Sequence, residues 1–180
     1  MAFINKHIFV FTAVFNSLCL SLFSQTNPNG LNKFYYDNGA LSSEGYMKDG
    51  KPDGYWKNYY KNGKVKTEGN RKNFLLDSIW KFYSENGRIT KSISYKEGKK
   101  EGYICVFDTG QKIVSREIFV NDIKQGVTKY YYRSGKVKQT LPYINGKPEG
   151  VSYEFNEDSL VIAVYKYKQG VLQGLERILR

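Results

Sequence analysis

Few side chains in this sequence are of the kinds that carry out reactions. Histidine occurs once, as His7, and cysteine twice, as Cys19 and Cys105. A structural zinc site needs about four Cys or His ligands, and a nucleophilic thiol needs a base beside it. With His7 and Cys19 assigned below to a removable leader, neither can be assembled. Cys105 sits among Tyr103, Ile104, Val106 and Phe107, the setting of an inert, half-buried thiol. Glu44, Glu68, Glu149 and Glu154 are scattered, and no pair stands out for acid–base work. No Gly-x-Ser-x-Gly, P-loop, His-Glu-x-x-His or calcium loop occurs. The sequence therefore implies no enzyme, no catalytic residue, no cofactor and no metal site.

What remains is binding chemistry. Lys and Arg total 28 against 17 Asp and Glu, a net charge of +11. Cations recur at Lys64, Lys66, Arg88, Lys112, Lys136 and Lys138, and large aromatics at Trp56, Trp80, Tyr60 and Tyr132. On strands, side chains of one parity share one face, so these ten residues form a candidate basic–aromatic binding face. Its field would draw an acidic protein, an anionic lipid or an acidic glycan. The plainer alternative is a solvated sheet face whose lysines guard against edge pairing. Nucleic acid is physically allowed by the same features, but no nucleic-acid-binding motif is present and export argues against it. A protein partner is the expected ligand.

The elements that must carry this face are strands. The chain of 180 residues has 16% aromatics, 17 Gly and only 4 Pro, the composition of strands joined by tight turns. Gly30, Gly54, Gly102, Gly126, Gly150 and Gly174 fall on one series of period 24, with Ser78 in the vacant place. Six repeats follow, 30–53, 54–77, 78–101, 102–125, 126–149 and 150–173, with a partial seventh at 174–180. Each holds an aromatic five residues in (Tyr35, Tyr59, Tyr83, Phe107, Tyr131, Phe155) and an aliphatic eleven in (Leu41, Val65, Ile89, Ile113, Val137, Val161). Asn38-Gly39, Asn62-Gly63 and Asn86-Gly87 predict two-residue type I′ turns, and Asp49-Gly50 and Asn145-Gly146 predict further hairpin turns. In the fourth repeat the turn glycine comes one place early, at Gly110. The expected fold is all-β, about twelve strands in an elongated, twisted antiparallel meander. The five-in and eleven-in columns are expected on the packed face, and their Tyr residues read as a packing spine.

The unit Gly54-Tyr55-Trp56-Lys57-Asn58-Tyr59-Tyr60-Lys61-Asn62-Gly63-Lys64 resembles the MORN-repeat variant of bacterial proteins of the YwqK antitoxin-like family. Repeat 126–149 shares the pattern through Tyr130-Tyr131-Tyr132, Ser134-Gly135-Lys136 and Tyr143-Ile144-Asn145-Gly146-Lys147, while repeats 102–125 and 150–173 depart from it with Ile104 and Ser152. The resemblance implies an elongated sheet that binds proteins or lipids, and an antitoxin role would mean neutralising a partner.

Residues 1–24 read as a secretory signal peptide. Lys6 supplies the positive end, and apolar runs follow at 8–15 and 18–23. Cleavage after Ser24 would leave Gln25 as the new terminus, then a short leader, 25–29, and the repeat domain, 30–180. An uncleaved anchor fits less well because Asn16 and Ser17 interrupt a short apolar stretch. A lipoprotein is not expected, since Asn16-Ser17-Leu18 is a poor lipobox before Cys19. The sequence thus describes an exported, non-catalytic binding scaffold, with a periplasmic, envelope-associated or secreted destination. Self-association through open sheet edges is a further expectation.

Overall fold

The structure, a computed structural model, describes residues 26–178; the signal-peptide expectation falls on residues outside the described ones. The described chain is all strand and turn. The strands are β1 (Gly30–Tyr35), β2 (Leu41–Lys48), β3 (Lys51–Tyr59), β4 (Val65–Lys72), β5 (Leu75–Tyr83), β6 (Ile89–Lys96) and β7 (Lys99–Phe107). They continue as β8 (Ile113–Val120), β9 (Ile123–Tyr131), β10 (Val137–Ile144), β11 (Lys147–Pro148), β12 (Gly150–Phe155), β13 (Val161–Lys168) and β14 (Val171–Arg177). Each strand pairs antiparallel with its sequence neighbour in a single sheet, except that β11 pairs only with β10, which then continues to β12. Fourteen strands stand where about twelve were expected. The partial seventh repeat contributes β14, and Glu149 separates β11 from β12.

Two turn types alternate. The turns between repeats are the two-residue kind with both central residues left-handed. Asp49 and Gly50 have φ of 50° and 73°, and Asn145 and Gly146 have 50° and 79°. The turns inside repeats are different, which corrects the reading of Asn38-Gly39, Asn62-Gly63 and Asn86-Gly87 as type I′. Gly39 N–H donates to the Tyr36 carbonyl and Tyr36 N–H to the Ala40 carbonyl, both at 2.8 Å. Only the glycine of each pair has positive φ. The asparagines serve through their side chains: Asn62 Oδ1 accepts from the Lys64 N–H at 3.0 Å and Asn38 Oδ1 from the Ala40 N–H at 3.1 Å. In the fourth repeat it is Gln111, at φ 66°, and not Gly110 that takes the left-handed place.

Each such turn is followed by one extra residue on the second strand. Tyr59 lies opposite Val65 but Asn58 opposite Thr67, so Lys66 is unpaired. Ser42, Thr90, Val114, Lys138 and Ile162 occupy the same place in the other repeats. A one-residue bulge moves every later side chain to the opposite face. The expectation that a single parity runs through both strands is therefore corrected.

One face is buried without a second layer. Its centre is the column Asn32, Trp56, Trp80, Ile104, Thr128 and Ser152, all buried, with Trp56 at 7% and Trp80 at 3% exposure. The packed face is thus the tryptophan face, not the face of the five-in aromatics, of which Tyr35 is 60% exposed. At the two tryptophans and at Ile104 the column residue faces the preceding strand, and the sizes compensate. Trp80 covers Gly69, where an added Cβ would lie 2.5 Å from the indole, and Trp56 covers Gly45 likewise. Ile104 instead faces Ile93. The indole N–H groups donate to the carbonyls of Tyr46 (3.0 Å) and Asn70 (2.7 Å), so burial leaves no polar atom stranded.

Thr128 breaks that rule. It is fully buried, and its Oγ1 has no hydrogen-bond partner among the described residues. An unmet buried hydroxyl costs about 1–3 kcal/mol, and valine has nearly the same shape. Thr128→Val is therefore expected to stabilise the chain by about 1 kcal/mol, read as a higher midpoint in urea unfolding.

Candidate interaction surface

Opposite the tryptophans lies the open face. Its chemistry is organised in rows that cross the strands. Cross-strand pairing links Lys33, Glu44, Lys57, Glu68 and Lys81 in direct succession. Opposite charges across a strand pair stabilise a sheet, though each exposed pair contributes only about 0.2–1 kcal/mol. The row continues through Ser92, Cys105, Arg116, Lys129 and Thr140, so its alternation of sign stops halfway along the sheet.

The carboxylates of this row hold tyrosines. Tyr59 donates its hydroxyl to Glu44 at 2.5 Å and Tyr83 to Glu68 at 2.6 Å, each 15 residues back. Burial, then the bond to Glu44, pushes the Tyr59 phenol up to about 12, and burial followed by Glu68 does the same for Tyr55. Tyr83 is raised by burial and by Glu68. Burial opposes ionisation of Glu68, but the Tyr83 and Tyr55 hydroxyls and the Lys57 and Lys81 charges outweigh it and keep this carboxyl below its ordinary value.

Beside the charged row runs an apolar one. The residue after each repeat start, Leu31, Tyr55, Ile79, Tyr103, Val127 and Val151, projects from the open face at 39% to 58% exposure. Lys57 lies over the Tyr55 ring at 5.9 Å and Arg116 over Tyr103 at 5.5 Å. Sequence reading passed over this stripe. Its signal was a large apolar residue directly after each start position.

The ten candidate binding residues are not brought together as one free surface. Trp56 and Trp80 are buried. Tyr60 and Tyr132 donate their hydroxyls to the carbonyls of Tyr83 (2.6 Å) and Phe155 (2.7 Å), one repeat on. Lys66 and Lys138, the bulge residues, rest over those same two rings at 5.6 and 5.8 Å. Lys64, Arg88 and Lys136 donate to turn carbonyls of the following repeat, at Asn86 (3.2 Å), Thr109 (2.8 Å) and Glu157 (2.6 Å). Nine of the ten thus tie the array together. Lys112 is the tenth, and it borders a cavity of about 550 Å³ together with Arg116 and Tyr131.

A single open antiparallel sheet, built of hairpins that stack only on their neighbours, defines an open β-repeat protein. Residues 28–49, 52–73, 76–97 and 124–145 match the family model described as MORN repeat variant, so the chain carries four repeats of that kind. The intervening segment 98–123 and the segment after 145 keep the same strand-and-turn plan. Among curated proteins no relative matches the chain.

The raised phenols set a pH dependence. The folded state prefers them neutral, and their folded pKa lies above the unfolded value of about 10. Their contribution is complete below pH 10 and is lost as pH rises from about 10 through about 12. The melting temperature should fall across that window. In the Glu44→Gln, Glu68→Gln double variant the fall should be shallower, because burial alone then opposes ionisation; an identical slope would contradict this assignment.

Proposed function

We propose that this protein is an exported, non-catalytic β-repeat scaffold that engages a protein partner through its sheet surface. The observation that carries this reading is the series of exposed apolar residues from Leu31 to Val151, one in each of six repeats, beside the lysine row. Exposed large apolar side chains aligned on one face, with polar neighbours such as Asn70 and Ser94 between them, support an interaction surface. Aromatics such as Tyr55 and Tyr103 supply large contact area at low entropic cost, and the flanking cations select against basic partners. Export rests on the apolar leader with Lys6 before it. The strands at the ends of the described sheet, β1 and β14, leave backbone groups for self-association or strand addition.

The YwqK-like resemblance supports a narrower form in which the partner is a toxin and binding neutralises it; a toxin active in the envelope would fit an exported chain. Binding of an anionic lipid or glycan through the basic–aromatic set has less support, since three of the six cations already donate to turn carbonyls and two lie over tyrosine rings.

The test combines cell fractionation with stripe variants. The native protein should be recovered outside the cytoplasm with Gln25 as its first residue. A double Leu31→Asp, Ile79→Asp variant should melt within a few degrees of the parent and lose at least tenfold in partner capture. A full-length cytosolic chain would overturn export, and unchanged capture would overturn the stripe as the binding surface.

A further inference from the structure

Two positions of the open face are coupled from the second repeat onward, with one departure. Where the position 15 residues before the five-in aromatic is Glu, that aromatic is a tyrosine and its hydroxyl takes the carboxylate, as in Tyr59 with Glu44 and Tyr83 with Glu68. Where that position carries no carboxylate, the aromatic has no hydroxyl: Phe107 follows Ser92 and Phe155 follows Thr140. Apart from Tyr35 in the first repeat, which has no repeat before it to supply the carboxylate, the exception is Tyr131, whose position 15 back is Arg116. A donor has replaced the acceptor, yet the hydroxyl remains, and among the described residues it donates to none.

The same place breaks two further columns. Arg116 lies directly opposite Lys129 in the pairing of β8 with β9, a like-charge pair that destabilises a sheet unless an anion lies between. Lys112 differs from its counterparts Lys64, Arg88 and Lys136 in making no hydrogen bond to the next turn among the described residues. None of Lys112, Arg116 and Lys129 takes part in an ion pair there. The nearby carboxylate of Asp108 is already held by Arg133 at 3.4 Å and by the N–H groups of Gly110 and Lys112 at 2.8 and 2.9 Å. The cavity of about 550 Å³ that Lys112, Arg116 and Tyr131 border has Phe107 and Ile113 in its wall. Lys112, Arg116 and Tyr131 thus border it beside apolar walls; Gln111 also lines it, its amide engaged with the Ile89 backbone, and no carboxylate among the described residues does.

We propose that this cavity binds a carboxylate side chain of an acidic segment of the partner protein, which takes the place that Glu44 and Glu68 fill internally in the earlier repeats. The carboxylate accepts from the Tyr131 hydroxyl and the Arg116 guanidinium, and Lys129 and Lys112 complete its neutralisation. An aliphatic stem or neighbouring apolar residue covers Phe107 and Ile113. The inference rests on the protein-partner reading above and names the chemistry of that partner.

The probe is a fluorescent, end-blocked hexaglutamate peptide titrated into the full chain at low salt. Binding is expected in the parent. Arg116→Glu supplies an internal carboxylate and should lower affinity at least tenfold, while Tyr131→Phe should lower it a few-fold. Lys168→Glu, which makes the same charge change at an exposed site on β13, should change it less than about threefold. Glu already occupies the equivalent position in two repeats, so Arg116→Glu should melt at or above the parent; should it fail to fold, Arg116→Gln replaces it with the same direction of effect. Equal losses in Arg116→Glu and Lys168→Glu would mean attraction by net charge alone and would overturn the site. Inorganic phosphate displacing the peptide at concentrations equal to the peptide's own would make it a free-anion site and overturn the acidic-segment assignment. Absence of peptide binding would overturn the site, while the protein-partner reading would still be judged separately by the stripe variants.

Discussion

The structure depends on one contact: an indole lying flat over a glycine of the neighbouring strand. A single-layer sheet has no opposing layer to pack against, so its apolar side chains must be buried by neighbours on the same face. Trp80 over Gly69 and Trp56 over Gly45 solve this by letting a large ring occupy the space a missing side chain leaves. The indole N–H groups are satisfied by backbone carbonyls of the preceding strand, ten residues back. Phe34 extends the stack, its ring 6.2 Å from that of Trp56. Adding a methyl at either glycine would force the ring off the sheet, and overpacking of this kind typically costs about 1–3 kcal/mol.

That packing puts the most buried side chains on one face and leaves the other half-open. The open face can then carry an apolar stripe and a row of charges whose order changes along the array. In the first half the row neutralises itself through Glu44 and Glu68. In the second half it does not, and Arg116 and Lys129 face each other. Stacked repeats tolerate such local change because each unit contacts only its neighbours. A regular scaffold can therefore hold one irregular site without disturbing the rest.

Much of the architecture was legible in the sequence. The glycine series with Ser78 in its vacant place pointed to the repeats, and Asp49-Gly50 and Asn145-Gly146 adopt the left-handed pair their types demand. Ser78 itself takes a φ of 58°, left-handed like its counterparts Gly54, Gly102, Gly126 and Gly150. The assignment of faces was not legible, because the bulge position is filled by Ser42, Lys66, Thr90, Val114, Lys138 and Ile162, which share no chemical character. Parity carried across an unseen bulge placed Trp56 and Trp80 on a binding face when they are the core. Lys112 was visible as a cation but not as an exceptional one, since the bonds made by Lys64, Arg88 and Lys136 cross between repeats. Arg116 and Tyr131 become meaningful only when the strand register shows which residue stands in place of Glu44 and Glu68.

The central claim is that the tryptophan-over-glycine contacts set the stability of the array and that it weakens as the column changes from Trp to Ile104, Thr128 and Ser152. Amide hydrogen exchange along the full chain tests this most directly, because local opening free energies are read strand by strand. The account predicts the slowest exchange in β3 to β6, around Trp56 and Trp80, with protection falling toward β12 to β14. Uniform protection along the sheet, or the slowest exchange in the strands around Ser152, would contradict it.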